Sequence, residues 1–304
     1  MLHQTIQGDD VPALGLGTYQ LKGDTCREAV RHALNIGYRH IDTAEMYGNE
    51  AAVGQGVQDA DIDRDAVFLT TKVWHTHLAP ADVRAAAESS LRKLQTDYVD
   101  LLLIHWPNAS VPLEATLDAF LDLQAKGTTR HIGVSNFPPA LFRRALDHTP
   151  LFCNQVEYHP FLGQEPLLEI ARERDVLLTA YSPLAQGDVL RRAVSPRRAL
   201  KALRRNGSPS TRIVEAAQNL LGTGPSVLKS LGERYGKSPA QIALRWLLQQ
   251  DHVAAIPKAA SARHRTANFD VFDFALTEAE MRLIYGLAQG DRHVDPHFAP
   301  NWNR

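Results

Sequence analysis

Tyr98-Val99-Asp100-Leu101-Leu102-Leu103-Ile104-His105 is a run that is almost wholly apolar up to its final histidine. A run of this kind, with apolar side chains at neighbouring positions rather than alternate ones, reads as a strand buried on both faces of a parallel sheet. Its flanks agree. Upstream, Pro80 to Leu94 carries Val83, Ala87, Leu91 and Leu94 at spacings that line one face of a helix. Downstream, Pro112 to Lys126 reads as a second helix, stopped at Gly127.

The same unit repeats in both directions. Towards the N-terminus stand strand candidates Val67 to Val73, Tyr38 to Ile41 and Ala13 to Thr18, with a helix from Thr25 to Asn35 closed by Gly37. Towards the C-terminus come strands His131 to Val134, Cys153 to Val156 and Val176 to Tyr181, with helices Pro139 to Asp147 and Pro166 to Arg174 between them. The rhythm breaks there and resumes at Ser238-Pro239-Ala240-Gln241, a capped helix start with proline at the first helical position. Val253 to Ile256 is a last strand, and Thr277-Glu278-Ala279-Glu280 is a capping box ahead of an extra helix containing Met281 and Ile284. Strict β–α alternation over roughly 250 residues predicts a (β/α)8 TIM barrel rather than an open doubly wound sheet. The expectation is one barrel domain over residues 1–304, with an insertion at about 187–224 after the seventh strand.

That insertion, within Gln186 to Gly224, carries Arg191, Arg192, Arg197, Arg198, Lys201, Arg204, Arg205 and Arg212 against Asp188 and Glu215. It is interrupted at Ser195-Pro196, Asn206-Gly207-Ser208-Pro209 and Gly222-Thr223-Gly224-Pro225. Charge runs are usually solvated, so a helical excursion into solvent is the first reading. A basic flap over phosphates is the second and a partner surface the third.

The whole chain is far less distinctive. It has 304 residues, a net charge of −1 and 44% apolar residues, enough for a large core and without the basic field that nucleic acid or an anionic membrane attracts. Two distant cysteines, Cys26 and Cys153, make no disulfide framework and suit a reducing compartment. The opening MLHQTIQGDD has neither a basic nor an apolar leader region, and no apolar run is long enough to span a bilayer. A cytoplasmic protein is expected.

Four polar side chains fall at or just beyond C-terminal strand ends, where barrels place their chemistry: Asp42, Tyr47, Lys72 and His105. Singly, each has an ordinary explanation. A strand-end Asp caps turns, a Tyr packs, and a His before Trp106-Pro107 is satisfied by its neighbours. Together with eight patches in order they resemble a known family. GLGTYQ (15–20), GYRHIDTAEMYGNE (37–50), TTKVW (70–74), LLLIHWP (101–107), IGVSNF (132–137), NQVEYHP (154–160), YSPL (181–184) and IPK (256–258) resemble the aldo-keto reductases, most of all the bacterial 2,5-diketo-D-gluconate reductase type.

The resemblance implies reduction of small aldehydes and ketones, such as 2-oxoaldehydes, keto-sugars or simple aromatic aldehydes, by hydride from a nicotinamide cofactor. Tyr47 would donate the proton. Its phenol is ordinarily a weak acid, and the ammonium of Lys72 would lower its pKa, with Asp42 holding that ammonium charged and aimed. His105 would hydrogen-bond the carbonyl oxygen, and Trp74, His105 and Trp106 would wall the substrate pocket. For the cofactor, Gly17 and Thr18 lie at the first strand. Ser135, Asn136 and Gln155 match the carboxamide positions, Tyr181 the stacking ring, and Ser182 and Leu184 the pyrophosphate loop. No GxGxxG is present, so a Rossmann domain is not expected.

The 2′-phosphate region departs from the family pattern. Lys258 and Asn268 stand, but the usual Ser, Arg and Glu are Ala259, His264 and Ala267. Arg263 and Arg265 flank the altered position. A neutral His lacks the bidentate grip of Arg, so NADPH is expected with weakened discrimination against NADH. His75-Thr76-His77 has the spacing of a metal pair but no third ligand beside it, and no metal is expected. The tail from Gly290, with Arg292, Asp295, His297 and Trp302, resembles the loop that lines the family's substrate site, and its shortness points to small polar substrates. By resemblance the chain is a monomer. The rival from another class is a cofactor-binding regulatory or scaffold protein that uses the Arg-rich excursion to hold a partner.

Overall fold

The computed structural model describes residues 2–205, 209–220 and 226–302. The interruptions expected at 206–208 and 222–225, and the side chain of Arg205, lie outside the described residues. The chain opens with a hairpin, β1 (His3–Ile6) and β2 (Asp9–Pro12). The alternating units follow: β3 (Leu16–Gly17), α1 (Gly23–Asn35), β4 (His40–Asp42), α2 (Glu50–Gln58), β5 (Phe68–Val73), α3 (Pro80–Leu94), β6 (Val99–Ile104), α4 (Leu113–Ala125), β7 (Thr129–Ser135), α5 (Pro139–His148), β8 (Cys153–Glu157), α6 (Glu165–Arg174) and β9 (Leu177–Tyr181). The excursion forms α7 (Asp188–Arg191), α8 (Pro196–Arg205) and α9 (Thr211–Leu220). The chain ends with α10 (Val227–Tyr235), α11 (Pro239–Leu248), β10 (Val253–Ala255), α12 (Ala262–Phe269) and α13 (Glu278–Tyr285).

Among the described residues, eight parallel strands run in order from β3 to β10. Parallel bridges Leu14–Ala255 and Gly17–Lys258 join the last strand to the first and close the barrel. Gly17 makes that closure possible, because a Cβ there would stand 2.6 Å from the Ile256 carbonyl oxygen. All of β6 is buried, as its apolar run requires. Its one acid, Asp100, is held by Arg64 at 2.8 Å, Arg130 at 3.2 Å and the Leu69 N–H at 2.9 Å. The expected capping boxes at Ser238 and Thr277 are both formed.

The hairpin was not expected from the opening residues. Gln7 and Gly8 take positive φ (51° and 90°), the two-residue turn that matches strand twist. Ile6 and Val11 are fully buried against Leu101, Leu103, Cys153, Leu177 and Ala254, which plugs the end of the barrel where the strands begin. The excursion is also less free than its charge indicates. Arg192 donates to Asp291 at 2.6 Å and Arg198 to Gln289 at 3.1 Å, while α8 and α9 pack on α13. No helix among the described residues is long and apolar enough to cross a membrane.

Candidate active site

Asp42 is the last residue of β4, Lys72 the next to last of β5, and His105 directly follows β6. Parallel register brings these ends together at one mouth. Lys72 Nζ donates to Asp42 Oδ1 at 2.6 Å and to the Thr43 carbonyl at 2.7 Å, with both side chains almost wholly sealed from water. Burial pushes the Lys72 ammonium below its ordinary pKa, and Asp42 works against that shift. The other Asp42 oxygen accepts from Gln155 Nε2 at 2.7 Å.

Tyr47 ends a short 3-10 turn (Glu45–Tyr47) beyond β4, and its ring centre lies 5.0 Å from Lys72 Nζ. Its phenol titrates well above the ordinary value, first because of burial and then because of Asp42, Tyr181 and Tyr19. The expectation was a lowering by Lys72. Burial and the Asp42 carboxylate, which also pairs with Lys72, outweigh it. His105 is turned edge-on to Tyr47, with ring centres 5.6 Å apart. Burial, Lys72 and His75 hold its imidazole well below the ordinary pKa, so it is neutral near pH 7. Its Nδ1 is buried without a hydrogen-bond partner among the described residues. The mouth thus holds a protonated phenol beside an uncharged imidazole, above a sealed ion pair.

The residues matched to a carboxamide extend this network. Asn136 takes a left-handed backbone (φ 65°) and donates from Nδ2 to the His105 carbonyl at 2.9 Å. It accepts from the Tyr181 hydroxyl at 2.7 Å. Ser135 Oγ donates to the Gln155 carbonyl at 2.8 Å, and Thr18 Oγ1 to the Asp42 carbonyl at 2.9 Å. Tyr181, Ser182 and Leu184 are half-buried at the rim.

At the phosphate end, Lys258, Arg263 and His264 are exposed around the N-terminus of α12, which Ser261 caps by accepting the His264 N–H at 3.2 Å. Neither Lys258 nor Arg263 has an ion-pair partner among the described residues. Free cations at a helix N-terminus fit a phosphate. Arg265 departs from its expected place: only 3% exposed, it turns inward and donates to the carbonyls of Ala259 and Ala260 at 3.1 and 2.7 Å. It shapes the loop rather than facing outward beside Arg263. Asn268 is buried.

Trp74 stands edge-on to His105, ring centres 5.1 Å apart, and Trp106, next to His105 in the chain, is almost wholly buried. Phe298, which sequence reasoning did not single out, sits edge-on to both at 5.6 Å and stacks on His75 at 4.1 Å. Trp302 lies 6.0 Å from Trp106 and under the Arg292 guanidinium. His75 and His77 have separate partners, since His77 Nδ1 pairs with Glu45 at 2.7 Å. Among the described residues, the group with metal-ligand geometry is instead Glu157, His159 and His293, whose carboxylate is already engaged by hydrogen bonds. Glu157 lies within NQVEYHP, a motif that by itself assigns it no role. Beside the neighbouring His159, its partners His293 and Val294 lie in the distant tail, where no local pattern points to them.

Comparison with known proteins gives one answer. The model of the Aldo/keto reductase family matches residues 13–289. Methylglyoxal reductase DkgB of Yersinia pestis is 33% identical, over 96% of this chain and 99% of its own. A solved structure assigned provisionally as a 2,5-diketo-D-gluconic acid reductase B superposes with a TM-score of 0.87 at 38% identity, covering 100% of this chain and 98% of its own. An aldo-keto reductase of Bombyx mori, solved in complex with NADP, gives 0.81 at 30% identity over 98% and 99%.

Proposed function

The chain belongs to the aldo/keto reductase family, and from that premise we propose that it reduces small aldehydes and ketones with NADPH, Tyr47 supplying the proton. 2-Oxoaldehydes such as methylglyoxal and keto-sugars are the substrate class that its bacterial relatives' names favour. The observation that carries this reading is Tyr47 set beside His105, ring centres 5.6 Å apart, with Lys72 5.0 Å from the Tyr47 ring and paired to Asp42 at 2.6 Å.

Bound NADPH supplies the hydride to the carbonyl carbon. Ser135, Asn136 and Gln155 would hold its carboxamide, Tyr181 its ring face, and Lys258 and Arg263 its 2′-phosphate. Gly17, Thr18, Ser182 and Leu184 would line its path, with His264 and Asn268 at the adenosine end. His105, uncharged, donates a hydrogen bond to the carbonyl oxygen and orients it. As negative charge grows on that oxygen, the Tyr47 O–H bond breaks and the proton passes to it, leaving phenolate. The raised phenol pKa keeps this proton in place at neutral pH. The Lys72 ammonium, 5.0 Å from the ring centre, stabilises the phenolate once it forms. A solvent proton then restores the phenol. Trp74, Trp106 and Phe298 exclude water from the site.

The same reading takes the chain as one barrel domain acting as a monomer. Its buried, unbridged Cys26 and Cys153 suit the cytoplasm. The test is loss of absorbance at 340 nm with methylglyoxal or 4-nitrobenzaldehyde, run with NADPH and NADH. Turnover supports the reading; none with any small carbonyl, at saturating NADPH, contradicts it.

A further inference from the structure

Glu157 ends β8, and its carboxylate has no exposed surface. Three donors converge on it. His159 Nε2 lies 3.0 Å from Oε1. The His293 N–H reaches Oε1 at 2.9 Å and Oε2 at 3.1 Å, and the Val294 N–H reaches Oε2 at 2.9 Å. The N–H of Phe161 donates to His159 Nδ1 at 3.3 Å, which makes Nε2 the protonated nitrogen and so the donor to Glu157. Burial would raise the carboxyl pKa, but these hydrogen bonds outweigh it and hold the group below the ordinary value, ionised. An acceptor-only group therefore grips two consecutive backbone N–H groups of a segment far away in sequence.

That segment leads to the substrate wall. Just before the grip, the N–H groups of Gln289 and Asp291 donate to the Phe161 carbonyl at 3.0 and 3.2 Å, and Arg192 holds the Asp291 carboxylate at 2.6 Å. Just after it, Trp302 Nε1 donates to Asp295 at 2.9 Å, and Phe298 meets Trp74, His75 and Trp106. The His293 ring adds longer contacts, to Asp188 at 3.8 Å and to the His159 ring at 5.3 Å between centres.

We propose that Glu157 is a positioning residue for the carbonyl pocket: by clamping His293 and Val294 it sets Phe298 and Trp302 against Trp74 and Trp106, and so governs substrate affinity without touching substrate or cofactor. The proposal rests on the reductase reading. It makes Glu157 specific in kind. A glutamine offers one acceptor oxygen where the carboxylate offers two, so either His159 or the tail loses its acceptor.

The test is Glu157→Gln in the full chain. Expected are a KM for methylglyoxal raised about tenfold, the scale of losing a hydrogen bond to a charged group, and a Kd for NADPH by fluorescence changed less than about twofold. Amide hydrogen exchange at His293 and Val294, measured without cofactor, should accelerate about tenfold or more. Phe298→Ala should raise KM in the parent and add little in the Glu157→Gln background, because both act on one element. If Glu157→Gln does not fold, Asp291→Asn loosens the same tail from the surface and should raise KM in the same direction. Unchanged KM with intact turnover, fully multiplicative KM effects, or an NADPH Kd that moves as far as KM would overturn the proposal. If the parent reduces no carbonyl, the reductase reading has failed instead, and unchanged exchange at the two amides would still refute the clamp.

Discussion

Lys72 and Asp42 meet at 2.6 Å with both side chains sealed from solvent, so they act as a neutral unit beneath Tyr47. Removing one member strands a buried charge, whereas replacing both does not. Lys72→Met is therefore expected to cost about 3–5 kcal/mol in urea unfolding. Lys72→Met combined with Asp42→Asn should recover most of that stability while turnover stays lost. Recovery of turnover along with stability would separate the pair from the chemistry.

The depressed pKa of His105 fixes the sign of an acid effect. Its folded value lies below the ordinary 6.5, so below that pH the unfolded chain binds the extra proton and the folded one does not. Its contribution to stability is present above pH 6.5 and is lost as pH falls through the folded value. Urea midpoints should fall between pH 7.5 and 5.5, and less steeply in His105→Gln. His40 and His131, also depressed by burial, leave a residual slope. An equal slope in the variant would remove His105 from this account.

Cofactor choice should follow the exposed positions on α12. His264→Arg restores a fixed bidentate donor and is expected to raise the kcat/KM ratio of NADPH over NADH about tenfold. Arg265→Ala should leave that ratio nearly unchanged but lower stability by about 1–3 kcal/mol, because the buried carbonyl of Ala259 and the part-buried one of Ala260 lose their donor. The reverse pattern would put Arg265 on the phosphate.

The N-terminal plug is a matter of stability alone. Ile6→Ala removes a fully buried side chain from the far end of the barrel and should cost about 2–5 kcal/mol in thermal or urea unfolding, with kcat unchanged. A drop in kcat at full folding would contradict the separation of the two barrel ends.

The plug also marks where reading the sequence stopped. Val99 to Ile104 could be placed because burial on both faces leaves a nearly unbroken apolar run, and Asp42, Lys72 and His105 because each stands at or beside the C-terminal end of a strand. Parallel register does the rest. The four-residue strands of the hairpin bury only Ile6, Val11 and Pro12, too few to stand out beside polar neighbours. Phe298 and Glu157 were hidden for a different reason: their partners are set by a tail with no helix or strand period of its own. Arg265 shows the same limit, since a basic residue beside a phosphate motif gives no sign that its guanidinium turns inward to two carbonyls. Likewise the family pattern pairs Tyr47 with Lys72 and Lys72 with Asp42, but that burial and Asp42 together push the phenol pKa up appears only in three dimensions.

The most direct measurement is single-turnover oxidation of NADPH by methylglyoxal at 340 nm, in the parent and in Tyr47→Phe, with NADPH affinity read in parallel by fluorescence. Loss of a proton donor should slow the chemical step by about 10²–10⁴-fold or more with NADPH affinity unchanged. A Tyr47→Phe protein that binds NADPH normally and turns over at the parental rate would contradict the assignment of Tyr47 as the acid.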